Sequence, residues 1–291
     1  MKYAYYPGCS LRGTGRAYEE SLLAVFRSLE IEIQELDDWN CCGATTYLSV
    51  DELTSYALAA RNLALAERVG MDIIAPCAAC YLVLNKTQRY IRDYPDIKTV
   101  VSRALAKIEL EYHDRVRVRH PLDVFLNDIG LKAISAKVVK PLKGLKVAPY
   151  YGCQIVRPYA TFDDQRNPIS MDRLLEACGA TVISYPLKTR CCGGSQKGTL
   201  PEIGLDLIRY LIAEAQRNGA DVIATVCPLC QFNLECFQKE AGSVRHPLSI
   251  PVLYFTQLMA LALGAPAATV GLRRSLVPVE PVLAAKEIAY A

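Results

Sequence analysis

A chain of 291 residues with 52% hydrophobic and 22% charged side chains carries enough apolar matter for two packed domains, and none of it is low-complexity sequence. Thirty-three Lys and Arg against 30 Asp and Glu leave a formal charge of +3, too small a field for binding a polyanion, and the 17 tyrosines are scattered, which excludes a nucleic-acid platform. The opening "MKYAYYPGCSLRGTG" lacks the apolar run and cleavage site of a secretory signal, so the expected setting is a reducing cytoplasm, where 12 cysteines must serve something other than disulfides.

In chain order, "KYAYYPGC" is an apolar run of strand length that ends at Cys9. "RGTG", Arg12 to Gly15, lacks the third glycine of a dinucleotide fingerprint and reads as a loop that lets backbone amides approach whatever the thiols hold. A helix and a second strand lead to "DWNCCGATT", with Cys41, Cys42 and Gly43; another helix leads to "GMDIIAPCAAC", a third strand running into Cys77 and Cys80. "LKVAPYYGC" opens a second series at Cys153, and "DRLLEACGATV" places Cys178 at the end of a helix. "LKTRCCGGS" holds Cys191, Cys192, Gly193 and Gly194; these glycines, like Gly43, predict close backbone approach to the site. "EIGLDLIRYLIAEAQRNG" has apolar residues at helical spacing and stops at a glycine, and "ADVIATVCPLC" is a strand running into Cys227 and Cys230. Cys178 and Cys236 have no counterparts in the first series and are expected to fill the core. His120-Pro121 and His246-Pro247 fall in roughly corresponding places, which hints at a proton donor against the plainer reading of structural histidines. Residues 247–272 carry no charge, but Pro251 and Pro266 leave a helix of about 12 residues, short of the roughly 20 a bilayer needs, so a buried helix and no membrane span are expected.

The cysteines repeat as a set. The first reads C-x31-CC-x34-C-x2-C and the second C-x37-CC-x34-C-x2-C, with "AYYPGC" matching "APYYGC". This spacing indicates duplication, with copies meeting near residue 145 and domains expected at 1–145 and 146–291. Strands alternating with helices predict an α/β fold: two similar parallel-sheet, Rossmann-like domains, each gathering its thiols outside the carboxyl ends of the strands.

Five converging thiols in a reducing compartment point to metal. Soft thiolates select zinc, Cu(I) or iron–sulfur clusters. A structural zinc or an ordinary cubane takes four, so a fifth thiol in both copies suggests an unusual cluster, while spacing alone leaves a zinc-stapled scaffold open.

The doubled pattern, with "NCCG" and "RCCGG", resembles the cysteine-rich CCG domain that defines the B subunit of heterodisulfide reductase, and the likeness runs from Cys9 to "YFTQLMALALGA". The resemblance implies two noncubane 4Fe-4S clusters, one on Cys9, Cys41, Cys42, Cys77 and Cys80 and one on Cys153, Cys191, Cys192, Cys227 and Cys230, with one cluster plus zinc as the alternative. It implies an oxidoreductase subunit that cleaves, or in reverse forms, a disulfide held between the clusters. The rival reading is a non-catalytic electron-transfer or assembly subunit of a respiratory or sulfur-oxidising complex acting on carrier-bound sulfur such as lipoate. The implied partners are a ferredoxin-like 4Fe-4S subunit resembling the C subunit of that reductase, a flavoprotein resembling its A subunit, and a small anionic disulfide or thiol; any membrane association would run through partner subunits. Arg12, Arg16, Lys188, Arg190 and Lys197 lie close enough in sequence to hold anionic groups, although each is read first as a loop or solvent residue. The tail "SLVPVEPVLAAKEIAYA" is expected to contribute to an apolar docking surface.

Overall fold

Short apolar runs bounded by glycine or proline become two four-stranded sheets in the computed structural model, which describes residues 1–44 and 47–288. Thr45 and Thr46 of "DWNCCGATT" and residues 289–291 of the tail lie outside the described residues. The first sheet contains β1 (Lys2–Tyr5), β2 (Glu32–Glu35), β3 (Ile73–Ile74) and β4 (Val118–Arg119), and the second β5 (Lys146–Tyr150), β6 (Thr181–Val182), β7 (Val222–Thr225) and β8 (Val252–Tyr254). Their orders are β2-β1-β3-β4 and β6-β5-β7-β8, and every pairing is parallel. Central strands are buried apart from the opening lysines of β1 and β5, and β7 is buried at all four residues, because helices cover both faces of a parallel sheet. The edge strand β2 is largely exposed and correspondingly polar. The expected α/β architecture with a parallel sheet in each copy is what the structure shows, with a fourth strand in each sheet that the sequence pattern does not reveal.

In both sheets the chain leaves the first strand to one side and returns to pair on its other side, so the strand order reverses there. The carboxyl ends of β1 and β3, and of β5 and β7, flank that reversal, where an open α/β sheet leaves a crevice. Cys9 and Cys77 follow the first two strands, and Cys153 and Cys227 the second two.

The covering helices follow their sequence signals. They are α1 (Arg16–Ser28), α2 (Glu52–Val69), α3 (Ala78–Asp93), α4 (Pro95–Ala106), α5 (Ser170–Ala177), α6 (Pro201–Arg217), α7 (Pro228–Cys236) and α8 (Phe255–Ala262). Asp51 caps α2 by accepting from the Thr54 amide at 3.1 Å, and Gly70 closes the helix at φ +66°. The uncharged stretch after Pro251 divides into β8 and the wholly buried α8, and no helix among the described residues is long and apolar enough to cross a membrane.

By packing, the chain forms two compact units, Met1–Arg12 with Ile31–Pro121, and Gly13–Glu30 with Leu122–Ala291. Units of packing therefore differ from units of repetition: residues 13–30 and 122–145 of the first copy lie with the second unit. Helix α1 joins that unit's core through Tyr18, stacked on Tyr254 at 4.5 Å, and Phe26, edge-on to Phe125 at 5.8 Å. Ser21 and Thr256 share a buried hydroxyl hydrogen bond of 2.7 Å in the same contact. The tail faces inward at Val279, Leu283 and Ile288, all buried, so it is a covering segment; Leu276 is exposed.

Candidate metal centres

Each packing unit contains one complete quintet of thiols. In the first, Cys9 hydrogen-bonds Cys41, Cys41 bonds Cys42, Cys42 Sγ lies 3.3 Å from Cys80 Sγ, and Cys80 bonds Cys77. In the second, the same order runs Cys153, Cys191, Cys192, Cys230, Cys227. The buried members are Cys42, Cys77 and Cys80, and Cys192, Cys227 and Cys230; Cys41 and Cys191 are exposed, which gives each group a dry floor and an open side.

Local chemistry explains how the chain brings the sulfurs this close. Gly8 adopts φ +66°, and a Cβ there would sit 3.0 Å from Cys80 Sγ; at Gly152, φ +70°, it would sit 3.1 Å from Cys230 Sγ. The tyrosines two residues earlier act as struts. Tyr6 donates to Asn40 O at 2.8 Å and Tyr150 to Arg190 O at 2.7 Å, so each end of a first strand is tied to the residue before a Cys-Cys pair. The amides of Gly43 and Gly193 point at Cys41 Sγ and Cys191 Sγ at 3.5 and 3.4 Å. These two glycines owe their lack of a side chain to other neighbours: a Cβ would meet Ser55 in one case and Gly204 and Leu207 in the other. Close approach to sulfur is seen at Gly8 and Gly152.

The thiols cannot all ionise as they stand. Hydrogen bonds from Cys42 and then Cys9 hold Cys41 far below the ordinary thiol range, and bonds from Cys153 and then Cys192 do the same for Cys191. The cost falls on the neighbours. Cys9 is pushed up by its bond to Cys41 and by burial, and Cys80 by its bonds to Cys42 and Cys77. Metal binding reverses this arithmetic, because thiolates are the ligands and protons leave as the metal enters. Among the described residues no group of three or more His, Cys, Asp or Glu is posed around one ion. The sulfurs form a chain of contacts, with Cys42 Sγ and Cys80 Sγ 3.3 Å apart. Five soft donors in sequence, with glycine cradles beneath, fit a multi-iron cluster.

The remaining candidates fall into place individually. His120 is buried, with its Nε2 proton donated to Pro76 O at 2.9 Å and its ring edge-on to Tyr81. His246 is exposed in a loop and is not its counterpart; the strand pairings put Tyr254 where His120 stands. Cys178 is fully buried and pushed up to about 12 by that burial, as core filling requires, whereas Cys236 is only half-buried. Arg12 pairs with Glu35, Lys188 with Asp172 at 3.1 Å and Lys197 with Glu240 at 3.3 Å, while Arg16 and Arg190 are exposed. Two contributors escape the sequence reading. Ser10 hydrogen-bonds both Cys9 and Cys77, and the Arg157 guanidinium donates to Thr189 O with its charge reaching Cys191. Ser10 is findable as the neighbour of a cysteine of the repeated set; Arg157 lies in the interval that is six residues longer in the second copy. A cavity of 610 Å³ lined by Arg92, Lys98, Tyr112 and His113 contains no cysteine.

Comparison with known proteins agrees with the duplication. The Cysteine-rich domain (CCG) matches residues 3–85 and again 147–235. The chain is 32% identical over 279 residues to the 8-methylmenaquinol:fumarate reductase membrane anchor subunit of Wolinella succinogenes, covering 95% of this chain and 97% of that one. It is 31% identical over 270 residues to the B subunit of the ferredoxin/F(420)H(2)-dependent CoB-CoM heterodisulfide reductase of Methanosarcina acetivorans, covering 90% and 89%. A protein of Archaeoglobus profundus described as similar to the B subunit of heterodisulfide reductase is 32% identical over 91% of each chain. In fold the chain is similar to a hypothetical protein from Helicobacter pylori, with a TM-score of 0.75 at 15% identity over 95% of this chain, which spans about half (52%) of that one. With its domain matched twice and its relatives above 30% identity aligned along nearly its whole length, the chain belongs to the family of doubled cysteine-rich CCG proteins that includes the B subunit of heterodisulfide reductase.

Proposed function

We propose that this chain is the iron–sulfur subunit of a heterodisulfide-reductase-like complex and the site at which the disulfide is cleaved or formed. Cys9, Cys41, Cys42, Cys77 and Cys80 would hold one noncubane 4Fe-4S cluster, and Cys153, Cys191, Cys192, Cys227 and Cys230 a second. The observation that carries this reading is the chain of five sulfurs linked in the same order by four contacts in each unit. When bound, such clusters supply one-electron chemistry and an affinity for sulfur. Two sites per chain match the two electrons a disulfide takes up. The protein's own part is placement. Gly8 and Gly152 leave room for sulfur, Tyr6 and Tyr150 fix the Cys-Cys pairs, the buried thiols exclude water from one side, and exposed Arg157 and Arg190 offer charge to an anionic substrate. Electrons would come from a ferredoxin-like partner of the C type and a flavoprotein of the A type.

The relative from Wolinella favours a second reading, an electron-transfer subunit of a quinol-linked respiratory complex with the same clusters. Anaerobic reconstitution and metal analysis test the shared premise. About eight irons per chain supports two clusters, about four with one zinc supports the mixed arrangement, and zinc without iron defeats the proposal. A paramagnetic signal that appears only when a thiol is added to the oxidised protein separates the disulfide reading from the respiratory one.

A further inference from the structure

The two quintets are matched in most of what sets the potential of a bound cluster: ligand type, order of sulfur contacts, and one glycine amide onto the first thiol of the pair. They differ in charge. Before Cys41 stand Glu35, Asp37, Asp38 and Asn40; at the same distances before Cys191 stand Tyr185, Leu187, Lys188 and Arg190. Ion pairs moderate the contrast without removing it. Arg12 answers Glu35 and Arg61 answers Asp38, so within the first packing unit, to which Arg16 does not belong, the surround keeps the negative charge of Asp37. Asp172 answers Lys188, but among the described residues no carboxylate pairs with Arg157 or Arg190, so the second surround keeps two positive charges. Exposure works the other way: Cys153 is less exposed than Cys9, which disfavours added charge at the second site, but this concerns one thiol in five.

Reduction adds a negative charge to a cluster, and a cationic surround stabilises the reduced form. Building on the iron–sulfur reading above, we infer that the two centres are unequal: the one on Cys153, Cys191, Cys192, Cys227 and Cys230 is the more readily reduced and takes the first electron, and the one on Cys9, Cys41, Cys42, Cys77 and Cys80 takes the second. The charges responsible are exposed, so the inequality shrinks as salt screens them.

The test is an anaerobic potentiometric titration of the full reconstituted chain, followed by electron paramagnetic resonance and with iron content measured on the same sample. Two one-electron steps are expected, separated by more than a tenfold difference in equilibrium constant, or about 59 mV. Arg190→Gln and Arg157→Gln are expected to lower the higher step and leave the other in place, Asp37→Asn to raise the lower step, and added salt to narrow the gap. Coincident steps at full iron content, or an Arg190→Gln shift confined to the lower step, overturn the inference while leaving the iron–sulfur reading intact. A chain that takes up no iron overturns both.

Discussion

One methyl group added at Gly8 or Gly152 is expected to empty one centre and spare the other. Both residues lie in the left-handed region, at φ +66° and +70°, where a side chain costs about 1 kcal/mol of backbone strain. Space adds a second cost. The Cβ of Gly8→Ala falls 3.0 Å from Cys80 Sγ and 3.5 Å from Tyr6 Cε1, while ordinary contact begins at ~3.5 Å, so the sulfur must retreat by roughly 0.5 Å. Overpacking of this kind costs about 1–3 kcal/mol, and the displacement exceeds the ~0.2 Å tolerance of a metal–ligand bond. Gly70 is the control: it has the same φ of +66° with nothing within 4 Å of an added methyl, so Gly70→Ala carries the backbone cost alone. Urea unfolding and iron counting on the three single variants read the two costs apart. Gly70→Ala is expected to lose about 1 kcal/mol and no iron, and Gly8→Ala and Gly152→Ala to lose more stability and about half the iron each. If Gly8→Ala matched Gly70→Ala in both measurements, the cradle argument would be refuted.

Tyr6→Phe is expected to cost less than Tyr150→Phe in unfolding free energy, about 1 against about 2 kcal/mol, because Asn40 O keeps a bond from Asn62 Nδ2 at 3.0 Å whereas Arg190 O loses the side-chain donor seen on it. Glu235, buried beside Gln231 and the amide of Val277, is raised to about 7 by burial. A folded value above the unfolded one of about 4.5 means that stability falls as pH rises from the lower value to the higher. Glu235→Gln is therefore expected to match the parent near pH 4 and to exceed it by up to about 3 kcal/mol above pH 7, read from unfolding midpoints across pH. A double-mutant cycle on Ser21→Ala and Thr256→Ala is expected to show a coupling of about 0.5–1.5 kcal/mol, and a coupling near zero would remove their hydroxyl pair from the account of how α1 is held.

The thiol quintets are legible in the sequence because duplication preserves spacing even where surrounding residues change. A strand of two residues such as β4 carries too little periodicity to register, and β8 is hidden inside an apolar stretch whose hydropathy fits strand and helix equally. A shared proline suggests that His246 matches His120, but the loop before β8 is free to change length, and only the strand register shows that Tyr254 occupies the place. Glycines beside the cysteines mark sites of close approach, but which atom they approach depends on packing between elements distant in sequence. The same limit applies to α1: its pattern shows which face is apolar, and nothing in it names Tyr254 and Phe255 as the surface that covers Tyr18.

Residues 13–30 leave the ribosome more than two hundred positions ahead of β8 and α8, against which they are finally buried. For that interval Tyr18 lacks Tyr254 and Phe255, the rings that finally cover it, and stays exposed on an incomplete chain. Severing the gene at the repeat boundary would deny the later fragment a wall of its interior and leave the earlier one with an orphan helix. The repeat boundary near residue 145 is thus no longer a place where this chain can be cut without splitting a packing unit.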